Sequence, residues 1–413
     1  MQSYYILTVI ITICAGFAYL NHRIIKLPPT IGIMVLSLIT SLAVVAAGKV
    51  MPSISQPLTE MISTIDFHDL LMKIMLSFLL FAGAIHIDAA KLKAERLPVI
   101  VLATVGTLIS TFLVGGLIYF LFGFFDAHID FIYCLLFGAL ISPTDPIAVL
   151  GILKRTKIPG SLQLKIAGES LFNDGVAVVI FLTIMEVSVK GTDNLTFSGV
   201  SLLFLREAVG GLIYGALLGY AGFFLLRSID NYKTEVLITI AMVMGGYMLA
   251  DELHISGPIA MVVAGLITGN KGKELAMSDT TRDYIGKFWE LIDEILNAIL
   301  FLLVGFEMLV VKVNIGIMII GVITIFVVLL ARWISVALPI TLLRPFARFE
   351  KHAISILAWG GLRGGISVAL ALSLPAEMYR DQFVSITYSV VIFSIIVQGL
   401  TIERVAKKLV NTD

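Results

Sequence analysis

Two short segments set carboxylates where the surrounding chain is apolar: Ser142-Pro-Thr-Asp-Pro146, continuing to Leu150, and Glu169-Ser-Leu-Phe-Asn-Asp-Gly175. An ionisable group near a bilayer centre is opposed by at least ~2.5–3.5 kcal/mol, so such a residue faces a polar cavity or a partner. Asp145 and Asp174 are therefore candidates for an ion path. Asp145 lies between Pro143 and Pro146, which remove backbone donors and push the residues before them out of helical geometry. An unwound patch with freed carbonyls is expected there.

Residues four apart share a helix face, so Glu169 and Asn173 fall on one face and Ser170 and Asp174 on the next. A hydroxyl, a carboxylate and backbone carbonyls from the Thr144 region would make a small oxygen cage, which suits a hard cation and not a soft metal. Glu169 reads as half of a structural ion pair with Arg363 as the expected partner, because an unpaired buried charge costs several kcal/mol. Asn173 is then a polar brace. The carboxylate of Asp174 can hold a proton or a metal cation, and the two compete for the same oxygens. That competition is an exchange mechanism if only the loaded states change sides.

These residues need membrane-deep helices to position them, and the composition supplies the material. Of 413 residues, 58% are hydrophobic and 14% charged, against roughly 25% charged in a soluble domain; mean hydropathy is +1.00. The chain reads as an all-α polytopic membrane protein. A formal net charge of +0 argues against nucleic acid as a partner, since that binding needs a basic patch. Cys14 and Cys134 both fall in apolar spans, where a small hydrophobe is the expected role.

With ~20 residues per crossing, the sequence gives thirteen candidate spans: 4–20, 30–48, 68–86, 98–124, 131–152, 164–187, 200–226, 235–250, 257–269, 288–310, 315–342, 353–374 and 383–403. The ninth, bounded by Gly257, Pro258, Gly269 and Asn270, is short enough to be broken, tilted or merged with the eighth. No basic residue precedes the first span, so it does not read as a cleaved signal peptide. An N-terminus outside and a C-terminus in the cytoplasm place most Lys and Arg residues inside, as the positive-inside rule requires. The outer side holds only Lys49, Lys73, Lys190, Arg206, Lys312 and Arg380. Arg332 and Arg363 fall within spans and become the natural counter-charges to the buried acids.

The fifth span is interrupted at Ser142-Pro-Thr-Asp-Pro146 and the twelfth at Gly360-Gly-Leu-Arg-Gly-Gly365. Seven spans separate them, so the two run in opposite directions. Inverted repeats of six spans, with interrupted helices meeting near the midplane around a binding site, produce this pattern.

Five ordered motifs resemble those of the electroneutral monovalent cation:proton antiporters, the bacterial NhaP-like and animal sodium/proton exchanger group. Besides the two opening segments they are Phe288-Trp-Glu with Phe301-Leu-Leu-Val-Gly-Phe-Glu307, Ala331-Arg-Trp-Ile-Ser335 and Gly360-Gly-Leu-Arg-Gly-Gly365. The resemblance covers essentially the whole chain. It implies a thirteen-helix homodimer in the plasma (inner) membrane, with a core domain over approximately 98–187 and 315–410 moving beside a dimerisation domain over approximately 1–97 and 188–314. It implies Na+, Li+ or K+ exchanged for protons, with the cation or proton on Asp174 helped by Ser170, Asp145 and the Thr144 carbonyl. It further implies one-for-one stoichiometry from the Asn173-Asp174 pair, and a structural network of Glu169, Asn173 and Arg363.

One departure stands out: Ala82 occupies the place where many members of the group carry a glutamate. His86, a turn along, reads as an interfacial hydrogen-bonder. Glu307 and Arg332 read as structural, with tuning of Asp145 or Asp174 as the alternative for Arg332. Asp293 and Glu294 sit on an acidic face expected to look into a funnel or the cytoplasmic surface and not into lipid, with a cation-attracting entrance as the alternative. The chain is expected to be no enzyme and to need no cofactor: the Gly-x-Gly-Asp signature of membrane aspartyl proteases is absent, and the tail after Val405 is too short for a regulatory domain. The rival function is a sodium-coupled organic-solute symporter of similar inverted-repeat fold.

Overall fold

A computed structural model describes residues 2–48, 69–126, 128–145, 149, 158–190, 197–309 and 315–410. All regular structure among them is helical, as hydrocarbon demands: without water, backbone groups must bond within their own segment. In chain order the helices are α1 (Tyr4–Ile25), α2 (Pro29–Gly48), α3 (Leu70–Ile85), the short α4 (Ala89–Ala94), α5 (Arg96–Phe124), α6 (Phe131–Ile141) and α7 (Gly160–Lys190). There follow α8 (Ser198–Arg227), α9 (Tyr232–Glu252), α10 (Gly257–Ile267), α11 (Asp279–Glu307), α12 (Ile315–Leu343), α13 (Ala353–Trp359), α14 (Gly365–Leu372) and α15 (Arg380–Leu409).

Among the described residues, eight of these helices, α1, α2, α5, α7, α8, α9, α12 and α15, are long and apolar enough to cross a bilayer, and α3 and α6 are shorter apolar helices. The chain is a multi-pass membrane protein. Along α8, Leu202, Leu205, Leu212, Leu217 and Phe224 stand exposed, a wide apolar surface that hydrocarbon can cover.

The ninth span stands as a helix of its own. His254 turns the chain out of α9 in a left-handed conformation (φ 52°), the Ser256 hydroxyl accepts from the Ile259 amide at 3.3 Å, and Pro258 fills the first turn, where its missing N–H costs nothing. α10 is buried along most of its length, packed against α3 and α8.

Two packing groups emerge. α5 lies along α6 and α12, α6 also touches α7 and α14, and α15 packs on α12 and α14. In the other group, α10 touches α3, α8 and α9, while α11 packs on α2 and α3. The groups meet where α7 runs beside α8 and α10, and where α11 reaches α14.

The two interruptions are real. α6 ends at Ile141 and non-helical chain follows through Asp145; α13 ends at Trp359 and non-helical chain runs to Gly364. The second half of the fifth span, including Pro146, lies outside the described residues apart from Val149. The breaks meet directly: the Asp145 amide donates to the Leu362 carbonyl at 2.8 Å.

Candidate functional site

α7 carries the site. Its buried residues include Lys165, Glu169, Ser170, Asn173 and Asp174, whose spacings of three and four set them on two adjoining faces of the helix. Asp174 is 6% exposed and Glu169 1%.

Thr144 is the hinge between the unwound segment and α7. Its amide donates to Asn173 Oδ1 at 3.3 Å and its hydroxyl accepts from Asn173 Nδ2 at 2.8 Å. The same hydroxyl lies 2.9 Å from Ser170 Oγ. The Asn173 amide is thus matched on both atoms to one residue of the broken segment. Ser170 and Thr144 form a hydroxyl pair one helical turn from Asp174, and Asp145 follows Thr144 directly in the broken segment. The sequence-derived set Asp174, Ser170, Asp145 and Thr144 thus gathers where the two interruptions meet.

The expected pairing of Glu169 with Arg363 is corrected by the structure. Arg332 Nη1 donates to Glu169 Oε1 in a buried ion pair, and Arg332 Nη2 donates to the Leu357 carbonyl at 3.0 Å. Arg363 instead reaches the first interruption, where its Nη1 donates to the Ser142 carbonyl and to the Pro143 carbonyl at 2.9 Å. Its amide donates to Ser394 Oγ at 2.8 Å. The cause is local: a break before a proline frees carbonyls, and the buried guanidinium of Arg363 donates to them while Glu169 is held by Arg332. Nor does Asn173 join Glu169 and Arg363 by hydrogen bonds, since its partner is Thr144.

The glycines of Gly360-Gly-Leu-Arg-Gly-Gly365 have a steric role that composition alone did not reveal. A Cβ at Gly361 would meet Arg332 Nε at 2.4 Å, and one at Gly364 would meet Asp145 Oδ2 at 2.4 Å. The second break is bare so that the arginine of the ion pair and the aspartate of the first break can lie on it. Beside it, Arg332, Gly361, Arg363, Val390 and Gln398 help line a cavity of about 10 Å³, room for roughly one water.

Ala82 is buried on α3 and brings no acid to the site. His86 Nδ1 lies 2.7 Å from the Ala82 carbonyl, and the ring is exposed. Among the described residues no group of three His, Cys, Asp or Glu side chains is arranged to hold a metal ion. The polar groups gathered at the crossing are carboxylates with neutral hydroxyl and amide oxygens. Sequence reading missed Lys165, buried at 1% and paired with Glu95 at 3.4 Å and Glu350 at 3.0 Å. A lysine near the end of a span looks like a snorkelling residue until the two acids, from distant loops, are seen to close on it.

The sodium/hydrogen exchanger transmembrane family matches residues 8–408. The chain is 50% identical over 400 residues to the Na(+)/H(+) antiporter NhaP of Pseudomonas aeruginosa, covering 95% of this chain and 93% of that one. It is 37% identical over 384 residues to the Na(+)/H(+) antiporter NhaH of Halobacillus dabanensis, covering 89% and 91%. Among solved structures, the fold is similar to that of the sodium proton antiporter MjNhaP1 from Methanocaldococcus jannaschii, with a TM-score of 0.78 over 99% of both chains at 19% identity.

Proposed function

The chain belongs to the sodium/hydrogen exchanger family, and from that premise we propose that it is a secondary active antiporter exchanging Na+ for H+, one for one, by alternating access. Its family is one of transporters, not catalysts. The observation that carries the reading is Asp174: a buried carboxylate, one turn from a Ser170–Thr144 hydroxyl pair, at the meeting of two broken helices.

Cytoplasmic Na+ displaces the proton from Asp174, with oxygens of Ser170 and Thr144 completing its shell and Asp145 supporting it. The group of α5–α7 and α12–α15, the core domain, then moves against the remaining helices, which form the dimerisation domain of a homodimer. External protons displace the cation, and the protonated core returns. Because one carboxylate carries either one proton or one Na+, each cycle moves no net charge. The protein works in the plasma or inner membrane with its N-terminus outside and its C-terminus in the cytoplasm. Li+ fits the same oxygen set, and K+ is a further candidate.

The rival reading, sodium-coupled solute symport, has no support in the names of its relatives. The test is exchange in proteoliposomes with an imposed pH gradient, with and without an imposed voltage. Na+-driven proton movement insensitive to voltage is expected from the unaltered protein and none from Asp174→Asn. Exchange that persists in the variant overturns the assignment.

A further inference from the structure

Two polar residues of α11 belong to neither the Asp174 cage nor the arginine network, yet they are held toward the crossing. Asn297 is 1% exposed. Its Nδ2 donates to the Asp293 carbonyl at 2.8 Å and to Asp293 Oδ1 at 3.1 Å, while its own Oδ1, also buried, finds no partner among the described residues. A buried amide oxygen left unbonded costs about 1–3 kcal/mol, and a structural brace would not leave it so.

The direction of this pair is fixed by the next residue on the same face. Residues 293, 297 and 300 follow the four-then-three spacing of one helical stripe. A Cβ at Gly365 would meet the Leu300 side chain at 2.4 Å, and the adjacent Gly364 has Asp145 Oδ2 against it. The stripe therefore looks at the second break, beside the residue on which Asp145 rests. The charge of Asp145 acts on Asp293. Two carboxylates and an unbonded amide oxygen thus converge from the two packing groups, on the Asp279 side of the crossing.

We propose that Asp293 and Asn297 form a transient alkali-cation site on α11 that delivers Na+ to Asp145 and Asp174. The chemistry is that of a hard monovalent ion: one carboxylate oxygen and one neutral amide oxygen, with water completing the shell. Two ligands hold such an ion weakly, which a delivery step needs. Because α11 stands outside the moving group, the site stays in place while Asp174 leaves it, so the ion is handed over only when the crossing faces Asp293.

This inference rests on the exchange reading of Asp174, and failure of that reading shows separately, as absence of Na+-driven proton movement in the unaltered protein. In proteoliposomes, Asp293→Asn is expected to raise the Na+ concentration for half-maximal proton movement about tenfold, with the maximal rate kept within about twofold, equivalent to a loss of about 1.4 kcal/mol in cation binding. Asn297→Ala is expected to shift it in the same direction by less, and Asp293→Glu to restore it. Unchanged half-saturation in both Asp293→Asn and Asn297→Ala overturns the proposal, as does a fall in maximal rate at unchanged half-saturation, which is the mark of a purely structural pair.

Discussion

At the scale of single residues, the division of labour among the buried charges is the main result. Glu169 and Arg332 neutralise each other and Arg363 holds the carbonyls of Ser142 and Pro143, which in the proposed exchange leaves Asp174 to the ion. Removing one partner of a buried pair strands the other at a cost of about 3–5 kcal/mol. Glu169→Gln and Arg332→Leu are accordingly expected to lower the unfolding midpoint in detergent by amounts that do not add in the double variant; a stable single variant with no transport would place Glu169 in the ion site instead. The residue types were legible in the sequence because charges stand out in apolar spans, whereas the bonding of Asn173 to Thr144 was not, since its register placed it on the Glu169 face. The partner of Glu169 was not legible. Register within one helix is local, whereas the choice between Arg332 and Arg363 depends on how α12 and the second break pack against α7.

At the scale of elements, the interruptions work as a joined pair. Proline removes donors in the first and glycine removes side chains in the second, and the Asp145 amide to Leu362 carbonyl bond ties them. A methyl added at Gly364 would displace the Asp145 carboxylate, an overpacking strain of about 1–3 kcal/mol. Gly364→Ala is expected to yield folded protein with weakened Na+ affinity, read as half-saturation in exchange assays. Gly361→Ala strikes Arg332 instead and is expected to show first in thermal stability. Equal losses of affinity and stability in both variants would contradict this separation. The existence of both breaks was readable from Pro143, Pro146 and the glycine run. Their mutual hydrogen bond was not, since it joins residues more than two hundred positions apart.

At the scale of the whole molecule, a buried ammonium fastens one end of the α5–α7 and α12–α15 group. Lys165 of α7 binds Glu95 before α5 and Glu350 between α12 and α13, donates to the Arg348 carbonyl at 3.2 Å, and lies over the Phe349 ring. Burial alone would push the Glu350 carboxyl up, but the Ser161 hydroxyl, its own backbone amide and Lys165 outweigh it and leave it below its ordinary value. A carboxylate with a depressed folded-state pKa stabilises above its unfolded pKa, and that contribution is lost as pH falls through the folded one. The melting temperature in detergent is therefore expected to decline below about pH 4.5, near the ordinary glutamate value, and Glu350→Gln is expected to flatten that decline. In the proposed cycle the same group slides past its neighbours, and at Gly175, next to Asp174, an added Cβ would meet Ile259 of α10 at 2.9 Å, a close contact where the two groups touch.

All of this turns on a single carboxylate exchanging one ion for another. The direct measurement is proton release from purified protein in weakly buffered detergent solution on addition of Na+, counted against Na+ bound. About one proton per Na+ from the unaltered protein and none from Asp174→Asn is the predicted result. Equal release from the variant, or Na+ binding to the unaltered protein without proton release, would contradict it.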